Sequence, residues 1–172
     1  TFAENCLSFT ANDLPKNISA NGTPTVESKI TVIQGGTISD LVISNIEGYH
    51  EYFKDLEAHL ISPQGTEVLL WKDRCGNFNG GFNLGLSDAA PGVFSCPPPN
   101  NGMIHRPQNP LAPIIGQNST GIWTLRIKDK LSTAGGTLSN FKIQFCQSVS
   151  IQPPFLVNNI VMPLPSGTNR VI

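Results

Sequence analysis

The chain has 172 residues, a formal net charge of −1, 13% charged residues, 16 Gly and 14 Pro. A nearly neutral chain lacks the basic surface by which proteins bind nucleic acids or anionic membranes, so neither partner is expected. No apolar run reaches the ~18 residues of a membrane-spanning segment, so membrane insertion is not expected either. Thr1 begins no signal peptide, and we expect a processed piece of a larger protein.

The predicted strands are alternations of apolar and polar residues, which is the pattern of a half-buried β-strand. Residues 28–34 and 37–46 alternate in this way, and the apolar phase of the second segment changes near Asn45, where we expect a bulge. Residues 122–128 and 138–146 show the clearest alternation. Since no window shows a helical period of about 3.6 residues over ten positions, the sequence predicts an all-β fold.

A tight hairpin is predicted between residues 50 and 70. Residues 56–61 alternate as a strand, and residues 66–71 resume as a second one. Between them the sequence Ser-Pro-Gln-Gly has the chemistry of a turn, because Pro presets φ and Gly supplies a permissive backbone. Together with the other strands, the hairpin favours a sandwich of two β-sheets.

The four cysteines are widely spaced and form no C-x-x-C pair, which favours disulfides in an oxidising compartment over a zinc or redox site. Cys6 and Cys146 are both out of phase with their apolar neighbours, so they could face each other if the first and last strands pair. Cys75 and Cys96 would then close a loop rich in Gly, Asn and Pro. The alternative is four free thiols in a cytoplasmic protein.

The segment 75–118 is long, contains three consecutive prolines and shows few regular strand signals. A loop of that length in a compact domain is functional, binds a ligand or is cross-linked internally by a disulfide. Its aromatic residues either form an exposed binding surface or bury themselves under the loop. The candidates for a binding loop are Trp71, Phe78, Phe82 and Phe94.

Short motifs follow one another along the chain in a defined order. They are Asp13-Leu14-Pro15, Ser28-Lys29-Ile30-Thr31-Val32, Ile38-Ser39-Asp40-Leu41, His50 with Asp55-Leu56, Leu60-Ile61-Ser62-Pro63-Gln64-Gly65-Thr66, Ser87-Asp88-Ala89-Ala90, Arg106-Pro107, Gly121-Ile122-Trp123-Thr124-Leu125, Asp129 and Gly135-Gly136-Thr137-Leu138. From Cys6 to Cys146 this set resembles the P (Homo B) domain of proprotein convertases, the subtilisin/kexin-type proteases. Lys54 stands where that family usually has Gly, and Phe141 where its aromatic residue is often Trp.

The resemblance implies a jelly-roll β-sandwich of the galactose-binding-like kind, with two antiparallel sheets, over residues 1–147. It also implies a non-catalytic accessory module of a secreted or cell-surface multidomain protein, associated with serine-type endopeptidases and proteolysis, that stabilises or orients a neighbouring domain. Residues 148–172 would then be a Pro-rich linker and the start of a following, cadherin-like module, or a docked arm. The alternative function is a carbohydrate- or protein-binding adhesion module that uses the loops between Cys75 and Asn118.

The sequence contains no catalytic constellation. A serine hydrolase brings Ser, His and Asp together beside an oxyanion hole, and the chain has no Gly-x-Ser-x-Gly sequence. Among its three histidines we expect His59 to be solvated on an exposed strand face and His50 to be hydrogen-bonded in a structural role. We therefore expect that the chain is not an enzyme.

Structural calcium is the cofactor that the resemblance suggests. Asp55, Asp88 and Asp129 match family positions at strand ends or in loops. Ca²⁺ takes about six to eight oxygen ligands, for which carboxylates are the main source. The alternative is that each Asp caps a turn through neighbouring backbone groups.

Overall fold

Two β-sheets make up the computed structural model, which describes residues 2–18, 25–131 and 133–150. Its strands are β1 (Phe2–Thr10), β2 (Lys16–Ile18), β3 (Thr25–Val32), β4 (Ile38–His50), β5 (Leu56–Ile61), β6 (Glu67–Trp71), β7 (Gly80–Leu86), β8 (Asn100–His105), β9 (Gly121–Asp129) and β10 (Gly136–Ser150). Two single-turn 3₁₀ helices, Phe53–Asp55 and Ala112–Ile114, lie in the connections. In the described ranges no helix is long and apolar enough to cross a membrane. Residues 148–150, the expected start of the linker, are the last residues of β10, and the rest of the expected linker and following module lies beyond the described residues.

The strand order explains how the two sheets are built. The larger sheet has the order β1-β10-β4-β7-β8, with β2 also paired to β10, and the smaller has the order β3-β9-β5-β6. This arrangement confirms the predicted β-sandwich. The pair β7–β8 is parallel, whereas the other paired strands are antiparallel, so the expectation of two wholly antiparallel sheets is wrong at this edge.

The core lies between the inner faces of the central strands. Trp123, Leu125 and Ile127 of β9 are fully buried, as the alternation predicts, and β10 buries its own alternate residues in the same way. The rings of Trp123 and Phe145 stack with centroids 5.6 Å apart, which joins the two sheets. Burial of large apolar side chains at about 25 cal/mol per Å² is the main stabilising term of such a sandwich.

Two predicted backbone features are confirmed. β5 and β6 form the hairpin; the amide of Thr66 donates to Oγ of Ser62, 3.2 Å away, and the amide of Ser62 donates to the carbonyl of Thr66 at 2.9 Å. Gly65 has a φ of +85°, a conformation that residues with a Cβ rarely adopt. The bulge expected near Asn45 appears as a register shift between β4 and β10 at that residue.

The four cysteines form two disulfides. Cys6 and Cys146 are direct partners in the register of β1 and β10, as the phase argument requires. Cys75 and Cys96, 21 residues apart, close the second loop. No free cysteine is present in the chain, since all four are paired.

The segment 75–118 contains more regular structure than the sequence suggested. It supplies β7 and β8, so the expectation of few strands is wrong there. In β7 the outward positions are Gly81, Asn83 and Gly85, residue types with weak strand preference, although the alternate positions are apolar and buried. Pairing with β4 at six positions, rather than intrinsic preference, therefore holds this strand in the sheet.

Candidate functional site

Three polar side chains meet at one end of the sandwich and are almost completely buried. His50 is the last residue of β4, Asp129 is the last residue of β9, and Asp55 ends the 3₁₀ turn before β5. Their exposed fractions are 0%, 3% and 4%, respectively. Burying polar groups of this kind is costly unless hydrogen bonds or charges compensate for it, so their partners determine what the site can do.

His50 is held through both ring nitrogens. Nε2 lies 3.3 Å from Oδ2 of Asp129, and Nδ1 lies 3.1 Å from the backbone nitrogen of Tyr52. Nδ1 also lies 2.9 Å from the carbonyl oxygen of Tyr52, so it can accept from the amide or donate to the carbonyl, depending on which ring nitrogen carries the proton. The close approach of Gly136 completes the setting, since a Cβ there would lie 2.8 Å from Cδ2 of His50.

The two carboxylates are partnered unequally. Asp129 accepts from His50 at one oxygen and from the backbone amide of Leu131, 3.2 Å away, at the other. Asp55 contributes its backbone carbonyl to the amide of Lys130 at 2.9 Å. Burial raises the pKa of the Asp55 carboxyl, and the nearby Asp129 carboxylate raises it further, while His50 and two lysines oppose them. Asp55 is therefore a buried acid that is disfavoured in its charged form.

The His50–Asp129 pair is closed to solvent. Its side chains have exposed fractions of 0% and 1%, so a substrate has no access to either group. A hydrolase would also require a nucleophile within hydrogen-bonding distance of the imidazole, and His50 instead contacts Tyr52 and Asp129. The predicted structural role of His50 agrees with these contacts.

The three predicted calcium ligands do not come together. Asp55 and Asp129 are neighbours, but Asp88 caps the second 3₁₀ turn, where its two oxygens each lie 2.9 Å from a backbone nitrogen, of Leu111 and of Ala112. Over the described ranges no group of three or more His, Cys, Asp or Glu side chains is placed to hold a metal ion. The carboxylates of Asp55 and Asp129 fit a cation in charge, and further oxygens would have to come from backbone carbonyls and water.

The aromatic residues of the predicted binding loop are buried, which is the second of the two alternatives that the sequence left open. Trp71, Phe82 and Phe94 have exposed fractions of 2% or less, and Phe78 is half-buried against the core. They surround Phe53, whose ring lies 5.3 Å from Phe82 and 6.0 Å from Trp71 between centroids. The cluster buries a large apolar area under the Cys75–Cys96 loop, and this burial is more favourable than leaving the rings exposed to solvent.

His59 also differs from its expectation. Its side chain is 12% exposed rather than solvated, with Nε2 2.6 Å from Glu57 and Nδ1 3.0 Å from Glu67. The hydrogen bond from His59 lowers the pKa of the Glu57 carboxyl. Arg126 extends this network from Glu67 to Glu27, so the outer face of the smaller sheet carries paired charges. The cross-strand partners that bury His59 come from β6 and β9, which a single-strand pattern does not reveal.

Comparisons with solved structures return distant likenesses. A serine protease from Aeromonas sobria, in complex with its chaperone ORF2, is 11% identical with a TM-score of 0.48, over 85% of this chain and 28% of that one. The same protease solved alone is 14% identical with a TM-score of 0.44, over 83% and 27% of the two chains. Dimeric latent PorU from Porphyromonas gingivalis is 10% identical with a TM-score of 0.47, over 86% and 13%. The chain thus spans less than a third of each of these proteins.

Comparison with protein families gives a more specific result. No curated protein matches the chain significantly. The family described as the proprotein convertase P-domain matches residues 40–145, which include the strand ends that carry His50, Asp55 and Asp129. The match covers more than half of the chain and coincides with the central strands of both sheets. The chain therefore belongs to the proprotein convertase P-domain family.

Proposed function

We propose that the chain is a non-catalytic accessory module of a secreted, protease-associated multidomain protein, and that it stabilises or orients a neighbouring domain. The observation that carries this proposal is the P-domain family match over residues 40–145. The burial of His50 and Asp129 supports it, because the one His–Asp pair at the strand ends is inaccessible to substrate. Two disulfides support an oxidising, extracellular location.

An apolar patch at the edge of the larger sheet is the surface that we assign to the neighbouring domain. Val93, Met103 and Ile104 have exposed fractions of 48%, 58% and 46%. Met103 and Ile104 are consecutive residues of β8, and Val93 lies close to the end of this strand because the amide of Arg106 donates to the carbonyl of Gly92. Exposed apolar groups beside an open strand edge favour contact with another protein surface. We call these three residues the β8 patch.

Calcium would complete the proposed role of the site at the strand ends. Asp55 and Asp129 would hold the ion, which would supply positive charge that neutralises two buried carboxylates. The raised pKa of Asp55 supports this, because a buried acid without a sufficient counter-charge gains most from a bound cation. The bound ion would join the end of β9 to the turn before β5 and thereby stabilise the sandwich rather than act on a substrate.

The β8 patch can be tested in the full-length parent protein. Ile104→Asp should lower the unfolding midpoint of the neighbouring domain by several degrees, because it places a charge in the proposed contact. Lys142→Asp on β10, at a half-buried position of the same sheet but three strands away, is the matched control and should leave that midpoint unchanged. Equal midpoints for the wild type and Ile104→Asp would contradict the assigned surface.

A further inference from the structure

A small pocket lies among the loops that follow β7 and β8, away from the His50 site. Its volume is about 310 Å³, at the lower end of the range for ligand pockets. Its walls combine charged, amide and apolar groups. These come from one residue that precedes Cys96 in the chain and four that follow it. The lining residues are Asp88, Arg106, Pro107, Gln108 and Pro110.

The walls of the pocket are fixed by backbone hydrogen bonds. Asp88 is held by the amides of residues 111 and 112, each 2.9 Å away. The amide of Arg106 donates to Gly92 at 2.7 Å, and the amide of Gln108 donates to Leu70 at 2.8 Å. A site whose backbone is already held in place loses little conformational entropy when a ligand binds.

The free hydrogen-bonding capacity in the pocket consists mainly of donors. The side-chain oxygen of Gln108 already accepts from the amide of Lys72, 3.1 Å away, which leaves its NH₂ group available. The Arg106 guanidinium is exposed and makes no side-chain hydrogen bond or ion pair with any described residue. Both oxygens of Asp88 are engaged by amides, so its charge is already stabilised while that of Arg106 is not.

We propose that this pocket binds the carboxylate of an acidic residue on an extended peptide. The planar guanidinium of Arg106 matches a carboxylate, and the Gln108 NH₂ can donate a further hydrogen bond. Pro107 and Pro110 provide apolar walls for the methylene groups of a glutamate side chain. The presence of Asp88 disfavours a dianion such as phosphate, which would place two charges beside a carboxylate.

The proposal can be tested with the 172-residue chain and two blocked pentapeptides that differ in one central residue, Glu in one and Gln in the other. Nuclear magnetic resonance titration follows the Arg106 Nε and Gln108 side-chain signals. The Glu peptide should bind saturably, and the Gln peptide should bind at least about 10-fold more weakly because it lacks the charge. Acetate, titrated in parallel, should also bind more weakly than the Glu peptide.

Variants separate the pocket from general charge effects. Arg106→Gln should weaken binding of the Glu peptide at least about 10-fold, whereas Lys29→Gln, an exposed cation on the other sheet, should change it less than about 2-fold. Gln108→Glu should weaken it as well, which provides a second test if Arg106→Gln folds poorly. Any one of four results would overturn the proposal. They are equal binding of the Glu and Gln peptides, unchanged binding by Arg106→Gln, tighter binding of acetate than of the Glu peptide, and no saturable shift at Arg106 and Gln108.

Discussion

Nε2 of His50 lies 3.3 Å from Oδ2 of Asp129, and the two side chains are 0% and 1% exposed. The pair joins the ends of β4 and β9, which belong to different sheets. A hydrogen bond across the sandwich fixes the position of the two sheets at this end, and removing one partner leaves a buried polar group unsatisfied. At this buried position the two side chains contact each other and not the solvent.

Replacing His50 should destabilise the protein strongly. His50→Leu should lower the free energy of unfolding by about 2–4 kcal/mol, since it leaves the Asp129 oxygen and the Tyr52 backbone without their partner. His105→Leu is the control, because Nε2 of His105 is buried without a hydrogen-bond partner among the described residues and its loss should cost less. Urea unfolding measures the free energy of unfolding of both variants. An equal or larger decrease for His105→Leu would contradict the role given to His50.

The raised pKa of Asp55 predicts a pH-dependent stability in metal-free protein. Its folded pKa lies above the ordinary value of 3.8, so the folded state holds a proton that the unfolded state releases. Stability from this group is therefore present below the unfolded pKa and declines as the pH rises through the raised folded pKa. Asp55→Asn should remove that decline.

Urea unfolding in EDTA tests this prediction at a series of pH values. The stability of Asp55→Asn relative to the wild type should increase from about pH 4 to about pH 7, because only the wild type must ionise a buried carboxyl. Asp13→Asn is a useful contrast, since hydrogen bonds from Lys16 and Ser28 lower the pKa of Asp13 despite its partial burial. The stability of Asp13→Asn relative to the wild type should fall as the pH rises through the lowered folded pKa toward 3.8, so the series extends below pH 4. Matching trends for the two variants would contradict the account.

The loop disulfide should contribute less than the terminal one. In the chain-entropy description, Cys75–Cys96 closes 21 residues and is worth about 3 kcal/mol, while Cys6–Cys146 closes 140 residues and is worth about 5 kcal/mol. Double Cys→Ser variants of each pair, compared by urea unfolding, should show that order. A larger loss for the Cys75–Cys96 variant would mean that packing of Phe94 and the loop, rather than chain entropy, dominates.

Calcium should stabilise the wild type through Asp55 and Asp129. Calcium at 100 times its Kd would add about 2.7 kcal/mol, which raises the unfolding midpoint by several degrees. Asp55→Asn and Asp129→Asn should lose this shift. Asp88→Asn should lower the midpoint with and without calcium while keeping the shift, because Asp88 caps a 3₁₀ turn. A shift retained by Asp55→Asn and lost by Asp88→Asn would contradict the proposed site.

Strands with strict alternation were predictable from the sequence, and those held by their neighbours were not. β5, most of β6 and β9, and residues 141–145 of β10 bury every second residue, so period alone reveals them. β7 and β8 contain several glycine and asparagine residues and form because β4 offers an edge to β7, which in turn offers an edge to β8. Long-range pairing of this kind leaves only a weak local signal.

At the candidate site, too, the sequence identifies some features and not others. The sequence names Asp55, Asp129 and His50 as residues of interest, but only the crossing of β4 and β9 brings them together. Asp88 also follows the end of a strand, but it lies elsewhere in the fold. There its two carboxylate oxygens accept hydrogen bonds from backbone amides. Phe53, at the centre of the buried aromatic cluster, lies in an irregular turn and carries no periodic signal.

The most direct test of the accessory role is the unfolding midpoint of the neighbouring domain in the full-length parent protein, compared with the same protein lacking this module. We expect the midpoint to fall by several degrees without the module, because the contact with the β8 patch is lost. An intact parent carrying Lys142→Asp should unfold as the wild type does. A neighbouring domain that unfolds at the same midpoint and with the same yield in the absence of the module would contradict the central claim.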